Sequence, residues 1–287
     1  MIDYDASRDA LYRPALRPTV FVRGMRIADV GIDAVCAELS RLAYTPFESD
    51  EAQRRRLIEI LESLGLTSWM GFNAAATGTE AFAAIDKEQG DAFVVFRGTA
   101  PGDIKDLATD LNVRPVAWAG GGNVHAGFAT AFASVRDQIE TWLETHAARS
   151  SLTLAGHSLG AALATLAMSR WQASRLVTFG CPRVGDERFA ATIADTAAAR
   201  RYVGCCDIVC NVPPAGTWYA DAGSMRYIDR GGALREGLDP AEMAADRARA
   251  RREYPATYAI RPGNVLVREF ADHSPINYVR ALLPGSV

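Results

Sequence analysis

Apolar residues recur at helical spacing over residues 32–44, where Val35, Leu39 and Leu42 share a face, and again through Leu57, Ile60, Leu61 and Leu64. Short apolar runs follow at residues 81–85, 92–96, 152–155 and 176–179, each bounded by glycine or polar residues as a buried strand is. Helical patterns fill residues 128–145 and 159–171 between them. Strand and helix therefore alternate, which predicts an α/β fold with a mostly parallel central sheet and helices on both faces. Further along, residues 201–204 read as a strand, the charged stretch 239–252 as a helix, and residues 276–283 as a last helix. No internal repeat interrupts the pattern, and the linker-like stretch 119–123 is too short to separate domains, so a single domain over residues 1–287 is expected.

Composition narrows the function. A chain of 287 residues with 49% hydrophobic content can fill a core of this type. The net charge of −3 supplies no basic field for nucleic acid. The longest apolar stretch, residues 161–168, is far below the roughly 18 to 20 residues that span a bilayer, so stable membrane insertion is not expected. The opening Met1-Ile2-Asp3-Tyr4-Asp5 lacks the basic and then apolar pattern of a secretory leader, which makes a cytoplasmic location the expectation. Cys36, Cys181, Cys205, Cys206 and Cys210 make an odd count without the paired spacing of a zinc site, and read as buried small hydrophobes. Three of them share one segment, but adjacent residues of a strand point to opposite faces and resist bridging. No metal and no organic cofactor is implied.

The chemistry starts at Ser158, in Gly156-His157-Ser158-Leu159-Gly160, directly after a predicted strand and directly before a predicted helix. Chance alone would produce such a pentapeptide about 0.1 times in a chain of this composition, so the placement carries the weight. A sharp strand-to-helix turn holds a serine hydroxyl exposed in strained backbone, and glycines two positions either side avoid the collision that turn creates. A serine is a poor nucleophile at neutral pH and needs a base, usually a histidine oriented by a carboxylate. Of His125, His146, His157 and His273, only His273 lies downstream of Ser158, as the order Ser, then acid, then His of that turn requires. His157 adjoins Ser158 in a turn that points the two side chains apart, which suits a structural or pocket-lining role. Thirteen carboxylates lie between Ser158 and His273. Asp207 is the best candidate among them, on a loop after the 201–204 strand, where sites of open α/β sheets form. Asp272 is too close to His273 in sequence and reads as a residue at the start of the last helix.

These residues resemble the class 3, fungal-lipase-like family of the α/β-hydrolases over most of the chain, from about Val35 to Leu283. The resemblance rests on Phe96-Arg97-Gly98-Thr99, on Asp106 with Thr109-Asp110-Leu111, on Val124-His125-Ala126-Gly127-Phe128, on the Ser158 pentapeptide, on Thr178-Phe179-Gly180-Cys181-Pro182-Arg183-Val184-Gly185, on Asp207-Ile208-Val209 with Pro213-Pro214, and on Asp272-His273. It implies a triad of Ser158, Asp207 and His273. It also implies an oxyanion hole made by Thr99, through its N–H and hydroxyl, and by the N–H of Leu159. Arg97, Asp106 and Asp110 read as scaffold, since a half-buried arginine needs a carboxylate partner.

The chain also departs from the family. Leu107 stands where a tryptophan commonly follows the aspartate, and the lid-like stretch 100–105 carries one large aliphatic residue, Ile104, which leaves little apolar surface for a lipid interface. The missing leader and disulfides fit a bacterial intracellular relative. The expected activity is carboxylester hydrolysis of acylglycerols or short-chain esters through an acyl-enzyme, with at most transient lipid-interface contact. A non-catalytic ligand-binding module and an acyltransferase are the alternatives. Oligomeric state is not legible. Stretch 239–252 reads as a solvated surface helix, with a cap over the acyl pocket as the alternative.

Overall fold

Strand β3 (Ala92–Phe96) is buried at every position, and its side chains divide by parity. Ala92, Val94 and Phe96 join the apolar cluster on one face of the sheet, Phe93 and Val95 the cluster on the other. The computed structural model describes residues 3–22, 24–99, 114–146, 148–171, 173–194, 198–214 and 218–283.

Around β3 the described residues build an eight-stranded sheet in the order β1 (Leu66–Ala74), β2 (Thr79–Asp86), β3, β6 (Leu152–His157), β7 (Arg175–Phe179), β8 (Ala199–Gly204), β9 (Ser224–Ile228), β10 (Leu234–Arg235). The centre, β3 through β9, is parallel. Both margins are antiparallel: β1 and β2 pair outward from β3, and β10 folds back on β9. The expected mostly parallel sheet is therefore present, although the run at residues 81–85 belongs to an antiparallel strand. The strands β4 (Pro115–Ala117) and β5 (Asn123–His125) form a separate hairpin whose turn, residues 118–122, holds most of the stretch 119–123. Its three successive glycines serve a tight turn within the fold.

Helices cover both faces. The helices α2 (Ile32–Leu42) and α8 (Pro275–Leu282) pack on one, through Val35, Leu39, Ile276 and Val279, with α3 (Glu51–Ser63) beside them through Leu57 and Leu61. On the other lie α4 (Ala126–Thr145) and α5 (Leu159–Trp171). The apolar stretch 161–168 is the buried body of α5, which explains why it is apolar all round. No helix among the described residues is long and apolar enough to cross a membrane. Further helices are α1 (Arg8–Tyr12), α6 (Pro240–Tyr254) and α7 (Arg268–Ala271).

Candidate active site

β6 ends at His157 and α5 begins at Leu159, so the chain reverses from strand to helix over one residue. That residue, Ser158, has φ 59°, a left-handed conformation that costs a non-glycine residue about 1–3 kcal/mol. The surroundings hold it there: its N–H donates to Phe179 O at 2.9 Å, and its carbonyl accepts from Ala161 N at 3.0 Å. A Cβ on Gly156 would run into the Gly160 backbone, and one on Gly160 into the Phe96 carbonyl. The two glycines are thus the condition for packing the turn against β3.

His273 follows α7 and brings its ring over this turn. Its Nε2 lies 3.0 Å from Ser158 Oγ, and its Nδ1 lies 2.8 and 3.0 Å from the two carboxylate oxygens of Asp207. All three residues are fully buried. Asp207 stands just beyond β8, at the carboxyl end of the parallel strands. Its Oδ1 accepts the Val209 N–H at 2.8 Å, and its Oδ2 accepts the Tyr278 hydroxyl at 2.5 Å. Burial would raise this carboxyl, but the charge and hydrogen bond of His273 and the hydrogen bond of Tyr278 outweigh it and hold the group below its ordinary range. The carboxylate stays ionised and fixes the proton of His273 on Nδ1, leaving Nε2 to accept from the serine.

A second imidazole lies directly behind the first. His157 and His273 have ring centroids 4.5 Å apart, and His157 is also buried. Its Nε2 faces the backbone carbonyl of His273 at 2.8 Å, so Nε2 donates, and its Nδ1 accepts from the Tyr44 hydroxyl at 2.8 Å. Burial, reinforced by the charge of His273, pushes its pKa well below the ordinary value. His157 is therefore a neutral strut between the loop of His273 and Tyr44. Tyr44 and Tyr278 were not singled out from sequence. Tyr278 stands five residues after His273 inside a predicted helix, but Tyr44 is 113 residues from its partner, beyond any local signal.

Thr99 and Leu159 flank the serine from two elements. Phe96, at the end of β3, pairs with Gly156 of β6, so the chain leaves β3 through Arg97, Gly98 and Thr99 beside the turn of Ser158. Thr99 Oγ1 is buried with no hydrogen-bond partner among the described residues. An unpartnered buried hydroxyl is costly unless a ligand uses it. Leu159 opens α5, where the first N–H groups have no intrahelical acceptor. Arg97 forms its ion pair with Glu80. Asp106, Asp110, Ile104, Leu107 and the lid-like stretch 100–105 lie outside the described residues.

Asp272 is not at the start of the last helix as expected. It caps the C-terminus of α7, ion-paired to Arg268 at 3.1 Å, and accepts the Tyr4 hydroxyl at 2.7 Å and the Cys206 N–H at 2.9 Å. The adjacent cysteines are unbridged as expected, but not through strand geometry: Cys205 and Cys206 lie in the turn after β8, and their sulfurs approach to 3.8 Å. All five cysteines are buried and unbridged. Neighbouring thiol and burial raise Cys205, and burial pushes Cys181 up to about 12, so neither offers a thiolate at neutral pH. Cys205, Cys206 and Asp272 have ligand-type atoms within 4.8 Å of one another. The Asp272 oxygens are already engaged by Arg268, Tyr4 and Cys206, however, so the triplet reads as hydrogen-bonded packing. Helix α6 begins in a capping box of Asp239 and Glu242 and packs with Met243 and Ala250 against this cysteine turn and Tyr227. Most of its surface is exposed.

Comparison with known proteins finds lipases and a phospholipase similar to this chain. The family described as lipase (class 3) matches residues 93–217. A lipase of Rhizomucor miehei is 33% identical over 165 residues, 52% of this chain and 45% of that protein. Phospholipase A1-II 4 of Oryza sativa subsp. japonica is 31% identical over 198 residues, 57% of this chain and 49% of that protein. The chain thus spans about half the length of the curated relatives it matches. The structure of the Rhizomucor miehei triacylglyceride lipase superposes with a TM-score of 0.56 over 69% of this chain and 79% of the other, at 24% identity, which establishes a shared α/β-hydrolase fold. These relatives are fungal and plant proteins, and they lend no support to a bacterial origin.

Proposed function

With residues 93–217 forming a class 3, fungal-lipase-like segment on an α/β-hydrolase sheet, we propose that the protein is a serine carboxylester hydrolase acting on acylglycerols or short-chain esters. The observation that carries the proposal is the continuous hydrogen-bonded line from Ser158 Oγ through both nitrogens of His273 to Asp207, with every member buried. In this reading Ser158 Oγ attacks the ester carbonyl while its proton passes to His273 Nε2. Asp207 stabilises the imidazolium that forms. The oxyanion is held by the N–H and hydroxyl of Thr99 and the N–H of Leu159, and the hydroxyl of Thr99 gains a partner that it lacks among the described residues. Collapse expels the alcohol, which takes the proton from His273. Water, deprotonated by the same nitrogen, then releases the acid and restores the serine.

Hydrolysis of p-nitrophenyl butyrate tests the proposal. Turnover by the wild-type protein with none above background in Ser158→Ala is the expected outcome; equal rates for the two proteins, or no turnover by either, would return the fold to the ligand-binding alternative.

A further inference from the structure

Residues 255–267 join α6 to α7 through one π-helical turn, Pro255–Ala259, and then an irregular loop; the backbone is held firmly while Ile260, Leu266 and Val267 face outward. Tyr254 donates its hydroxyl to Val265 O at 2.8 Å, Val265 N–H donates to Ala6 O at 2.9 Å, and Arg8 N–H donates to Gly263 O at 2.8 Å. Asn264 Nδ2 ties the loop to itself through Tyr258 O at 3.0 Å. Pinned on both sides, the loop leaves Ile260 75% exposed, Leu266 68% and Val267 44%. Scattered single apolar residues are ordinary on a surface, but here three lie within eight positions of one fixed segment. Beside it lies a shallow depression of about 490 Å³ lined by Arg8, Tyr12, Val265, Leu266, Val267 and Phe270.

The charge around the patch is unbalanced. Residues 247–268 contain six arginines against one glutamate, in a chain whose net charge is −3. Arg268 turns inward to Asp272, and Arg249 and Arg251 pair with Glu253 and Glu269 at the surface. Arg8, Arg252 and Arg261 are exposed and form no ion pair among the described residues, although the charge of Arg252 also acts on Glu253, and the guanidinium of Arg261 lies over the ring of Tyr258. Exposed aliphatic side chains bordered by unpaired guanidinium groups match a surface that offers hydrocarbon beneath a layer of negative charge. The position fits the site as well. Val265, Tyr254 and Phe270 share an apolar cluster with Ile208 and Val209, which follow Asp207, and the loop runs through α7 directly into His273.

We propose that Ile260, Leu266 and Val267, with Arg8, Arg252 and Arg261, form a docking surface for an anionic lipid–water interface. The docking presents the carboxyl end of the sheet, where Ser158 lies, to substrate held in that interface. The residues of the surface lie outside the 93–217 segment. Its use in presenting substrate rests on the ester-hydrolase reading; the binding itself requires no turnover.

Sedimentation with phosphatidylcholine vesicles, with and without about one-third phosphatidylglycerol, measures this directly. Wild-type protein should partition on the order of tenfold more strongly to the anionic vesicles, and added salt should erase the difference. The pair Ile260→Ser and Leu266→Ser should lower partitioning by on the order of tenfold or more. Arg252→Gln and Arg261→Gln should each lower it about fivefold on anionic vesicles and hardly at all on neutral ones. All four substitutions should leave p-nitrophenyl butyrate turnover unchanged, which separates failure of the docking surface from failure of the hydrolase reading. Equal partitioning to both vesicle types, or variants that bind as the wild type does, would overturn the proposal. So would self-association that Leu266→Ser abolishes without any vesicle binding, since the patch would then be a contact between copies.

Discussion

Two buried imidazoles sit 4.5 Å apart in this protein, and their surroundings give them opposite chemistry. His273 has a carboxylate at Nδ1 and a hydroxyl at Nε2, so it can accept a proton and have the resulting charge stabilised where it forms. His157 has a phenol at Nδ1 and a carbonyl at Nε2, and burial holds it neutral. A phenol and a carbonyl can fix an imidazole but cannot neutralise an imidazolium. The same contrast separates two neighbouring carboxylates. Burial acts to raise both, but Asp207, hydrogen-bonded by His273 and Tyr278, ends below its ordinary range, whereas Asp272 ends above it despite Arg268, because its burial dominates. Role follows from partners rather than from proximity to the serine.

The largest expected effects test which imidazole is the base. His273→Ala and Ser158→Ala should each lower ester turnover by on the order of 10³ or more, and the double variant should be hardly worse than either, as for groups that act as a unit. If His157→Gln were as damaging as His273→Ala while the protein remained folded, the division of roles would be wrong.

Thr99→Val comes next. It keeps the side-chain shape and the backbone N–H but removes one hydroxyl donor, so kcat should fall on the order of 10²-fold with KM little changed, and Thr99→Ser should be nearly silent. A rise in KM alone would make Thr99 a pocket-lining residue.

Smaller effects fall on the supports. Tyr278→Phe removes a hydroxyl that donates to Asp207, which is then held by Val209 N–H and His273 alone, and a loss of about tenfold in kcat with KM little changed is expected. A fall in stability with kcat unchanged would mark Tyr278 as packing only.

The smallest effect is on stability. The folded-state pKa of His157 is depressed, so below its ordinary value of 6.5 the unfolded chain binds a proton that the folded chain refuses. Its contribution is complete above pH 6.5 and declines as pH falls toward the folded value, by at most about 1.4 kcal/mol per pH unit. Asp207, also depressed, begins to lose its share only as pH falls below 3.8. Denaturation midpoints between pH 7 and pH 5 should therefore decline more steeply in the wild type than in His157→Gln; parallel curves would contradict a neutral, buried His157.

Much of this site was legible in the sequence because the chain writes it locally. The glycines around Ser158 mark a turn that needs them, the order of histidines leaves His273 alone downstream, and the runs at residues 92–96 and 152–155 are strands buried on both faces. What escaped was carried by distance or by edges. Tyr44 reaches His157 across 113 positions through the packing of α2 on the sheet. β1, at one margin of the sheet, mixes exposed, half-buried and buried residues, and β9, next to the other margin, runs from exposed Ser224 and Met225 to buried Tyr227 and Ile228, so neither shows the continuous apolar run of a central strand. Cys205 and Cys206 were read as strand residues, whereas β8 ends at Gly204 and the turn brings both sulfurs to one side.

The central claim, that Ser158 is activated by His273 and not by the histidine beside it, has a direct measurement in covalent labelling by a p-nitrophenyl alkylphosphonate, followed by mass spectrometry of the labelled peptide. The account predicts one label per chain, on Ser158, formed at nearly the wild-type rate in His157→Gln and slowed by orders of magnitude in His273→Ala. Labelling of another residue, or of Ser158 at an undiminished rate without His273, would contradict it.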